Sequence, residues 1–169
     1  MSILAASLPL ETLEESGATI DPITATVSAA QAGGNFPLMW LIIALPVFGA
    51  VVLLLGGRRT NSWGPILACL LPIGSFILAC LLLAQMMALP ESDRLIVLDM
   101  WNWVFAGAFD VEFALRLDPL SISFVMLITG VGSLIHIYSL GYMAEDPGKR
   151  RFMGYLNLFV SAMLLLVMA

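Results

Sequence analysis

Long apolar runs, separated by short polar segments, divide this chain into four candidate membrane-spanning helices. The runs cover residues 37–55, 66–89, 118–143 and 152–169. Each is close to the roughly 20 apolar residues that an α-helix needs to cross the hydrocarbon layer of a bilayer. The pattern therefore predicts an all-α integral membrane protein, in which a polar turn at residues 56–65 joins the first two helices as a hairpin across the membrane.

Local signals add detail to these helices. Pro46 and Pro72 lie well inside the first two runs, where each removes a backbone donor and frees the carbonyl four residues earlier, so we expect a kink at both. Asp118 followed by Pro119 is typical of an N-cap and a first helical residue. The fourth run is still apolar at Ala169, without the polar or aromatic residues that usually flank a spanning helix. We therefore expect the chain to be the amino-terminal piece of a longer protein.

The segment between the second and third helices, residues 90–117, has a pattern typical of β-strands. From Phe109 to Leu117 every second residue is apolar, and residues 95–105 form a second β-prone run. We predict a β-hairpin whose apolar face covers either the tops of the helices or a neighbouring subunit, because an isolated two-stranded hairpin is marginal in water. The alternative is an interfacial loop that tryptophans hold at headgroup depth.

Residues 1–36 differ from the rest of the chain in being acidic and rich in small residues. They lack the basic start, compact apolar core and small-residue cleavage site of a signal peptide. We expect a flexible extension on the outer side of the membrane. A short amphipathic element that lies on the membrane or on a partner is the alternative.

The basic residues indicate which way the helices cross the membrane. They concentrate in the loops at residues 56–65 and 144–151, and basic loops stay on the cytoplasmic side. Both loops are therefore predicted to be cytoplasmic, and the amino terminus and the hairpin lie outside. The composition, 60% hydrophobic and 11% charged residues, excludes an ordinary water-soluble domain. The net charge of −5 is a sum over two separated faces and indicates no nucleic-acid partner.

Small and polar residues form one stripe on each of the last two helices. The stripe on the third helix consists of Thr129, Gly132, Ser133, His136 and Ser139, and that on the fourth of Gly154, Asn157 and Ser161. Small residues let another helix approach closely, so we assign the stripes to helix packing, either on each other or on helices outside this piece. For His136 we favour a neutral imidazole bonded to a backbone carbonyl or hydroxyl over a role in moving protons.

Candidates for chemistry are few. His136, Tyr138, Asn157 and Ser161 are the groups that we consider for lining a proton path, and no catalytic residue is predicted. None of the four runs has a lysine, arginine or acidic residue in its middle, whereas proton pumps and ion carriers place such groups at the bilayer midplane. The chain has no phosphate-binding glycine loop, dinucleotide fingerprint or nucleophile elbow. Neither cysteine has a partner at ligand spacing, so no metal site or bound cofactor is predicted.

A set of short motifs in the last part of the chain resembles a known family. The motifs are LDPLS at residues 117–121, GVG at 130–132, HIYS at 136–139, GYM at 141–143 and YLNLF at 155–159. Together they resemble subunit L, the family of antiporter-like membrane-arm subunits of bacterial respiratory complex I, the NADH-quinone oxidoreductase. The resemblance is strong from residue 95 onward, weaker from 37 to 94, and absent before that. Multisubunit sodium/proton antiporters share the first two motifs, and the histidine of the third favours complex I.

The resemblance implies an assignment for the whole chain. The chain would be the start of a larger antiporter-like helical bundle, containing three peripheral helices and the first helix of the first inverted repeat. The whole subunit would translocate protons as quinone is reduced, as part of an enzyme whose redox sites lie elsewhere. Flavin, iron–sulphur clusters and quinone are implied for partner subunits, and none for this chain. The family's proton-carrying residues would lie beyond Ala169, so this piece is implied to be mainly a scaffold around the pump helices.

The resemblance also implies partners and a location. The partners would be other membrane-arm subunits, especially a neighbouring antiporter-like subunit joined through the outer hairpin, together with membrane lipid. The location would be the bacterial plasma membrane. Two alternatives remain open, a subunit of a sodium/proton antiporter and a purely structural membrane protein. A gene that continues past Ala169 into a helix with an intramembrane glutamate would favour the pump.

Overall fold

Four long helices and a small sheet make up the part of the chain that the computed structural model describes, residues 27–28, 33–91, 94–106 and 109–169. The helices are α1 (Trp40–Leu55), α2 (Gly64–Ala88), α3 (Pro119–Tyr142) and α4 (Lys149–Met168). A 3-10 turn at Phe36–Leu38 precedes α1, and a second at Gly57–Thr60 precedes α2. With the first turn included, all four segments are long and apolar enough to cross a membrane. This confirms the predicted helical membrane architecture.

The start of α4 shows where hydropathy misplaces a helix end. The helix begins at Lys149, before the apolar run that starts near Phe152. Its first turn is formed by three consecutive basic residues, because a helix can extend past the apolar layer into water. Hydropathy marks the limits of that layer and does not mark the limits of hydrogen bonding.

The sheet confirms the predicted hairpin and adds a strand. Strands β2 (Ile96–Ala106) and β3 (Phe109–Leu117) pair antiparallel, with register irregularities within β2. Strand β1 (Val27–Ser28) pairs parallel with the start of β2. It lies in the expected amino-terminal extension, where two residues are too few to show alternation. Residues 1–26 and 29–32 of that extension lie outside the described residues.

The inner face of the hairpin closes one end of the helical bundle. Its buried residues Ile96, Leu115 and Leu117 belong to the same apolar cluster as residues at the helix ends: Met39 just before α1, Met86 of α2, Ile122 of α3 and Met168 of α4. These are residues near the start of α1 and α3 and near the end of α2 and α4. For these three hairpin residues, the apolar face therefore covers the helix ends, one of the two surfaces that the sequence leaves open. This contact gives the two-stranded hairpin the support it would lack in water.

The helices form a ring of antiparallel neighbours. Each packs against the next along the chain, α4 returns to pack against α1, and α2 also contacts α4. Arg150, in the first turn of α4, donates a hydrogen bond from Nη1 to the carbonyl of Leu53 in the last turn of α1. The last carbonyls of a helix have no partner within it and form the negative end of its dipole. The guanidinium supplies both a donor and a positive charge there, which stabilises the closure of the ring.

The two intrahelical prolines determine where the first helices are tied together. Pro46 has no amide hydrogen for the carbonyl of Ile42. That carbonyl instead accepts a hydrogen bond from Ser75 Oγ of α2 at 3.0 Å. Ser75 is fully buried. A side chain of α2 therefore replaces the missing helical bond of α1.

The same arrangement recurs one helix further on. Pro72 of α2 frees the carbonyl of Ala68, which accepts a hydrogen bond from Asn157 Nδ2 of α4 at 3.2 Å. An unsatisfied backbone group in the hydrocarbon layer costs several kcal/mol. Both proline carbonyls therefore find a donor on a neighbouring helix, and these bonds link α1 to α2 and α2 to α4.

Asp118 caps α3, as the sequence predicts. Its Oδ1 accepts hydrogen bonds from the backbone amide of Ser121 at 3.2 Å and from the Ser121 hydroxyl. Burial raises the pKa of this carboxyl, but the two bonds and the positive charge of Arg116 outweigh burial and hold the pKa below its ordinary value of 3.8. Asp118 is therefore charged at neutral pH, and it stabilises the positive end of the helix dipole.

Substitutions of Asp118 should distinguish how much its hydrogen bonds and its charge each contribute to stability. Asp118→Ala should destabilise the full-length subunit by about 1 kcal/mol, and Asp118→Asn by less, because Asn keeps the side-chain acceptor. The thermal denaturation midpoint of the purified assembly at neutral pH measures both. Because the folded-state pKa is lowered, the stabilisation is present at neutral pH and is lost as the pH falls through that value. A midpoint lower for Asn than for Ala would contradict this account.

The link between Pro72 and Asn157 can be tested by a double-mutant cycle. Asn157→Leu leaves the Ala68 carbonyl without a donor and should cost between about 0.6 and 3 kcal/mol. In a Pro72→Ala background residue 72 regains its amide hydrogen, so the same change should cost less. The measurement is again the denaturation midpoint of the assembly that contains the full-length subunit.

Pro46→Ala is the matched control for this cycle. It restores a donor to the carbonyl of Ile42 and leaves that of Ala68 unchanged. The cost of Asn157→Leu should therefore be the same in this background as in the natural one. An equal cost in all three backgrounds would show that Asn157 does not act through the proline carbonyl.

Candidate functional site

The polar stripe of α3 bonds to the helix's own backbone. Thr129 Oγ1 donates to the carbonyl of Val125 at 2.6 Å, and Ser133 Oγ donates to that of Thr129 at 2.6 Å. The Nδ1 of His136 lies 2.7 Å from the carbonyl oxygen of Gly132. All of these are contacts to the carbonyl four residues earlier, and the three polar residues are buried. These three side chains of the stripe therefore bond within α3.

The small residues of the two stripes face different helices. A Cβ at Gly132 would lie 3.1 Å from Val160 Cγ2, so this glycine permits α3 to approach α4. A Cβ at Gly154 would lie 3.1 Å from Leu54 Cδ2, so that glycine permits α4 to approach α1. Ser139 is also buried on α3. The two stripes therefore do not form a single shared seam, because α4 uses separate faces for α3 and α1.

His136 has one occupied and one unoccupied ring nitrogen. A backbone carbonyl can only accept, so Nδ1 carries the hydrogen in the contact with Gly132. In the neutral imidazole Nε2 is then an acceptor. This atom is buried, and no partner for it is found among the described residues. The contact with Gly132 is the kind of backbone bond that the structural hypothesis for His136 requires. That hypothesis does not account for Nε2, which has no partner among the described residues.

A cavity of about 340 Å³ lies between α3 and α4, next to His136. Apart from the imidazole, its walls are apolar. They include Leu127, Val131 and Ile135 from α3 and Leu156, Phe159 and Met163 from α4. The cavity is a groove along the two helices, since several of these side chains are exposed along it.

Asn157 lies at the junction of α1, α2 and α4. Its amide nitrogen donates to the carbonyls of Ala68 and Met153, both at 3.2 Å. Its Oδ1 is buried, without a hydrogen-bond partner in the described part of the chain. A Cβ at Gly49 would come within 3.2 Å of that oxygen and 2.7 Å of Leu71 Cδ1, so only a glycine of α1 fits beside this side chain.

The other two proton-path candidates lie apart from these groups. Ser161 is buried, and its hydroxyl donates to the carbonyl of Leu158 in its own helix at 2.7 Å. Tyr138 is 70% exposed, and its ring stacks on that of Tyr142 at 5.8 Å. Within the described ranges, no hydrogen bond joins any two of the four candidates. The arrangement does not bring them together as one relay.

Two residues that bond between helices are not predicted from the sequence, Ser75 and Arg150. A signal for Ser75 was present, because the proline in α1 implies a carbonyl in need of a donor and Ser75 is the one hydroxyl residue of α2. Arg150 was assigned only to orientation, although it also serves the end of α1. The described residues contain no group of three or more His, Cys, Asp or Glu that could hold a metal ion.

Comparisons with known proteins place this arrangement in a family. A family model described as the N-terminus of NADH-ubiquinone oxidoreductase (complex I) chain 5 matches residues 103–153, which run from β2 through α3 into α4. NADH-quinone oxidoreductase subunit L of Mycobacterium tuberculosis is 54% identical over 130 residues, which cover 77% of this chain and 20% of that relative.

More distant relatives have related names. NADH-quinone oxidoreductase subunit L of Escherichia coli is 34% identical over 134 residues, 78% of this chain and 21% of that protein. NAD(P)H-quinone oxidoreductase chain 5 of Synechocystis is 37% identical over 147 residues, 79% of this chain and 20% of that protein. The chain spans about a fifth of the length of these curated relatives. With its four candidate spans, this multi-pass membrane chain belongs to the family of the NADH-quinone oxidoreductase subunit L and chain 5 proteins.

Proposed function

We propose that this chain is part of a membrane-arm subunit of a proton-pumping NADH-quinone oxidoreductase, in which it serves mainly as a scaffold around the pump helices. The observation that carries the proposal is the 54% identity over 130 residues to a protein named as subunit L of that enzyme. The same name at lower identity in Escherichia coli favours the respiratory complex over a sodium/proton antiporter, which the sequence leaves open.

The scaffold role is supported by what the helices contain. Helices α1, α2 and α3 have no lysine, arginine or acidic residue, and α4 has them only in its first turn. Proton carriers place such groups within the membrane. Two of the polar side chains that link helices, Ser75 and Asn157, bond to backbone carbonyls that prolines leave free. In our proposal the groups that carry protons across the membrane belong to the remainder of the subunit.

Of the four proton-path candidates, we propose structural roles for Asn157 and Ser161, because their hydrogens are donated to backbone carbonyls. Tyr138 and its stacked neighbour Tyr142 are exposed and suit contact with lipid headgroups or another helix. His136 is the candidate with an unused ring nitrogen inside the membrane layer. Of these four candidates, we therefore keep only His136 for a part in proton movement.

Cofactors and partners follow from the assignment. We propose that flavin, iron–sulphur clusters and quinone bind to other subunits, and that this chain contacts membrane lipid and further membrane-arm subunits. The hairpin is the proposed contact with a neighbouring antiporter-like subunit. Strand β3 lies at the edge of the sheet, and an edge strand offers backbone groups to a partner. Arg116 of β3 is exposed and available for a polar contact there.

The orientation is proposed from the distribution of charge. Arg59 and the basic first turn of α4, residues 149–151, lie at the end of the bundle away from the hairpin. Arg94 and Arg116 lie at the hairpin end. Since basic loops stay on the cytoplasmic side, we place the hairpin and the amino terminus outside and the loops at 56–65 and 144–151 inside.

Purification from native membranes tests the proposed function. An affinity tag on the full-length subunit should recover flavin- and iron–sulphur-containing subunits, together with quinone reduction by NADH. The reason is that a pump without its own redox site must remain attached to the subunits that have one. Absorbance spectra and an NADH oxidation assay provide the measurement. Recovery of a sodium/proton exchanger free of redox subunits would contradict the proposal.

Cysteine labelling tests the orientation. In a full-length subunit with Cys69 and Cys80 replaced by serine, an impermeant maleimide added outside intact cells should label Glu91→Cys, at the hairpin end of the bundle, and leave Glu145→Cys unlabelled. Both residues are exposed in the described part of the chain. Permeabilised cells are the control and should show labelling at both positions. Labelling of position 145 alone in intact cells would reverse the assignment.

A further inference from the structure

We propose that two parts of the amino-terminal extension, β1 and residues 33–36, act together as a clasp that attaches the start of the hairpin to the last turns of α2. The clasp contacts the rest of the chain at three places: β1 pairs with β2, Asn35 bonds to α2, and Phe36 enters the apolar cluster. The inference goes beyond the proposed function, because it gives the extension a role that does not depend on the pump assignment.

Strand β1 covers the edge of β2 at its start. Val27 pairs with Ile96, and Ser28 pairs with Val97, in parallel. Without β1, the backbone of these two β2 residues would be an unpaired edge among the described strands. Ile96 is fully buried, and a buried backbone group without a partner is costly. β1 therefore supplies hydrogen bonds at the place where the hairpin meets the helix ends.

Asn35 attaches the end of the extension to α2. Its backbone amide donates a hydrogen bond to Oε1 of Gln85 at 3.0 Å. Because a backbone amide can only donate, this contact determines which end of the Gln85 amide faces the extension. The next residue, Phe36, is 2% exposed and lies in the same apolar cluster as Met86 and Ile96. Phe36 and the residue that pairs with β1 therefore belong to one core.

Two glycines allow the backbone to turn at the contact with α2. Gly33 and Gly34 have φ angles of +70° and +65°, in the left-handed region that favours glycine. A Cβ at Gly34 would lie 2.9 Å from Gln85 Oε1, the atom that accepts the bond from Asn35. A Cβ at Gly33 would meet no atom of the described residues within 4 Å. Gly34 therefore lets the backbone approach Gln85 closely enough for this bond.

The contacts of the clasp depend on one another. Strand β1 has only two residues, and even a complete two-stranded hairpin is marginal in water. Anchoring Asn35 and Phe36 leaves a short loop between them and β1, which lowers the entropy cost of bringing β1 to β2. The bond to Gln85 should therefore determine how much of the time β1 is paired.

Disulfide crosslinking tests the pairing of β1 in the assembly that contains the full-length subunit. With the native cysteines replaced by serine, Ser28→Cys and Val97→Cys should form a disulfide on mild oxidation, because paired strand residues lie within the Cα separation that a disulfide requires. Ser28→Cys with Leu98→Cys is the matched control and should not crosslink, since neighbouring residues of a strand point to opposite faces. Mass spectrometry of the digested subunit measures both. No disulfide between positions 28 and 97, or an equal or higher yield from the control pair, would overturn the proposal.

Hydrogen exchange tests whether the contact with α2 controls β1. Gln85→Ala removes the acceptor for the Asn35 amide, and amide exchange in residues 27–28 and 96–97 should become about fivefold faster, the factor that the loss of one ordinary hydrogen bond gives. Gln85→Glu keeps an acceptor oxygen and should leave the exchange rate near that of the natural protein. Unchanged exchange in the Ala variant, or an equal increase in the Glu variant, would refute the clasp.

Substitution of the two glycines separates the contact with Gln85 from backbone strain. Gly33→Ala and Gly34→Ala both place a side chain in the left-handed region, but only the second displaces Gln85 Oε1. Gly34→Ala should therefore accelerate the same amide exchange more than Gly33→Ala does. In a Gln85→Ala background the two substitutions should have equal effects. Equal effects in the natural background would show that Gly34 does not act through Gln85, and the proposal would fail.

Discussion

The architecture depends on one constraint, that every backbone carbonyl inside the hydrocarbon layer needs a donor. Two prolines break this condition, at Pro46 in α1 and Pro72 in α2, and two side chains from neighbouring helices restore it. The donor must lie at the depth of the freed carbonyl and on the correct side of the helix. Each bond therefore fixes the rotation and the height of one helix relative to the next. Apolar packing alone, which lacks direction, provides no comparable restriction.

The rest of the bundle is arranged around these links. Gly49 and Gly154 have no side chains where α1 and α4 approach each other, and the absence of a side chain at Gly49 leaves room for the amide of Asn157. The hairpin covers the ends of all four helices with Ile96, Leu115 and Leu117. On α3, by contrast, the polar groups bond to their own helix and do not hold a described neighbour. A groove lined mainly by apolar side chains lies beside His136, between α3 and α4.

Much of the fold was predictable from the sequence. The four helices follow from apolar length, the hairpin from alternation between Phe109 and Leu117, and the start of α3 from Asp118 and Pro119, because each of these is a local signal. Strand β1 was not predictable, since two residues have no period and its pairing with β2 is a tertiary contact. The early start of α4 was missed because basic residues in a first turn look like a loop when only hydropathy is considered.

The candidate site was predictable only in part. The helical wheel places Thr129, Ser133 and His136 on one buried face, and the structure has them there. Residue spacing does not show which helix faces Gly154. Nor does it show that Asn157 reaches the carbonyl of Ala68. Those contacts depend on how α4 turns between α1 and α3. The prolines nevertheless predict that two carbonyls need donors, and a search of the sequence for those donors would have led to Ser75.

Arg150 has a consequence for the way in which the chain is inserted into the membrane. The positive charge that helps to retain its loop on one side also bonds to the last turn of α1. A chain inserted in the opposite direction would place this basic loop outside, against the tendency of basic loops to stay on the cytoplasmic side. If α4 alone were inverted, the same arginine would be on the far side of the bilayer from Leu53, and the ring of helices would stay open. The Arg150 guanidinium therefore contributes both to the direction in which α4 is inserted and to its packing against α1. An inverted α4 would lose both contributions.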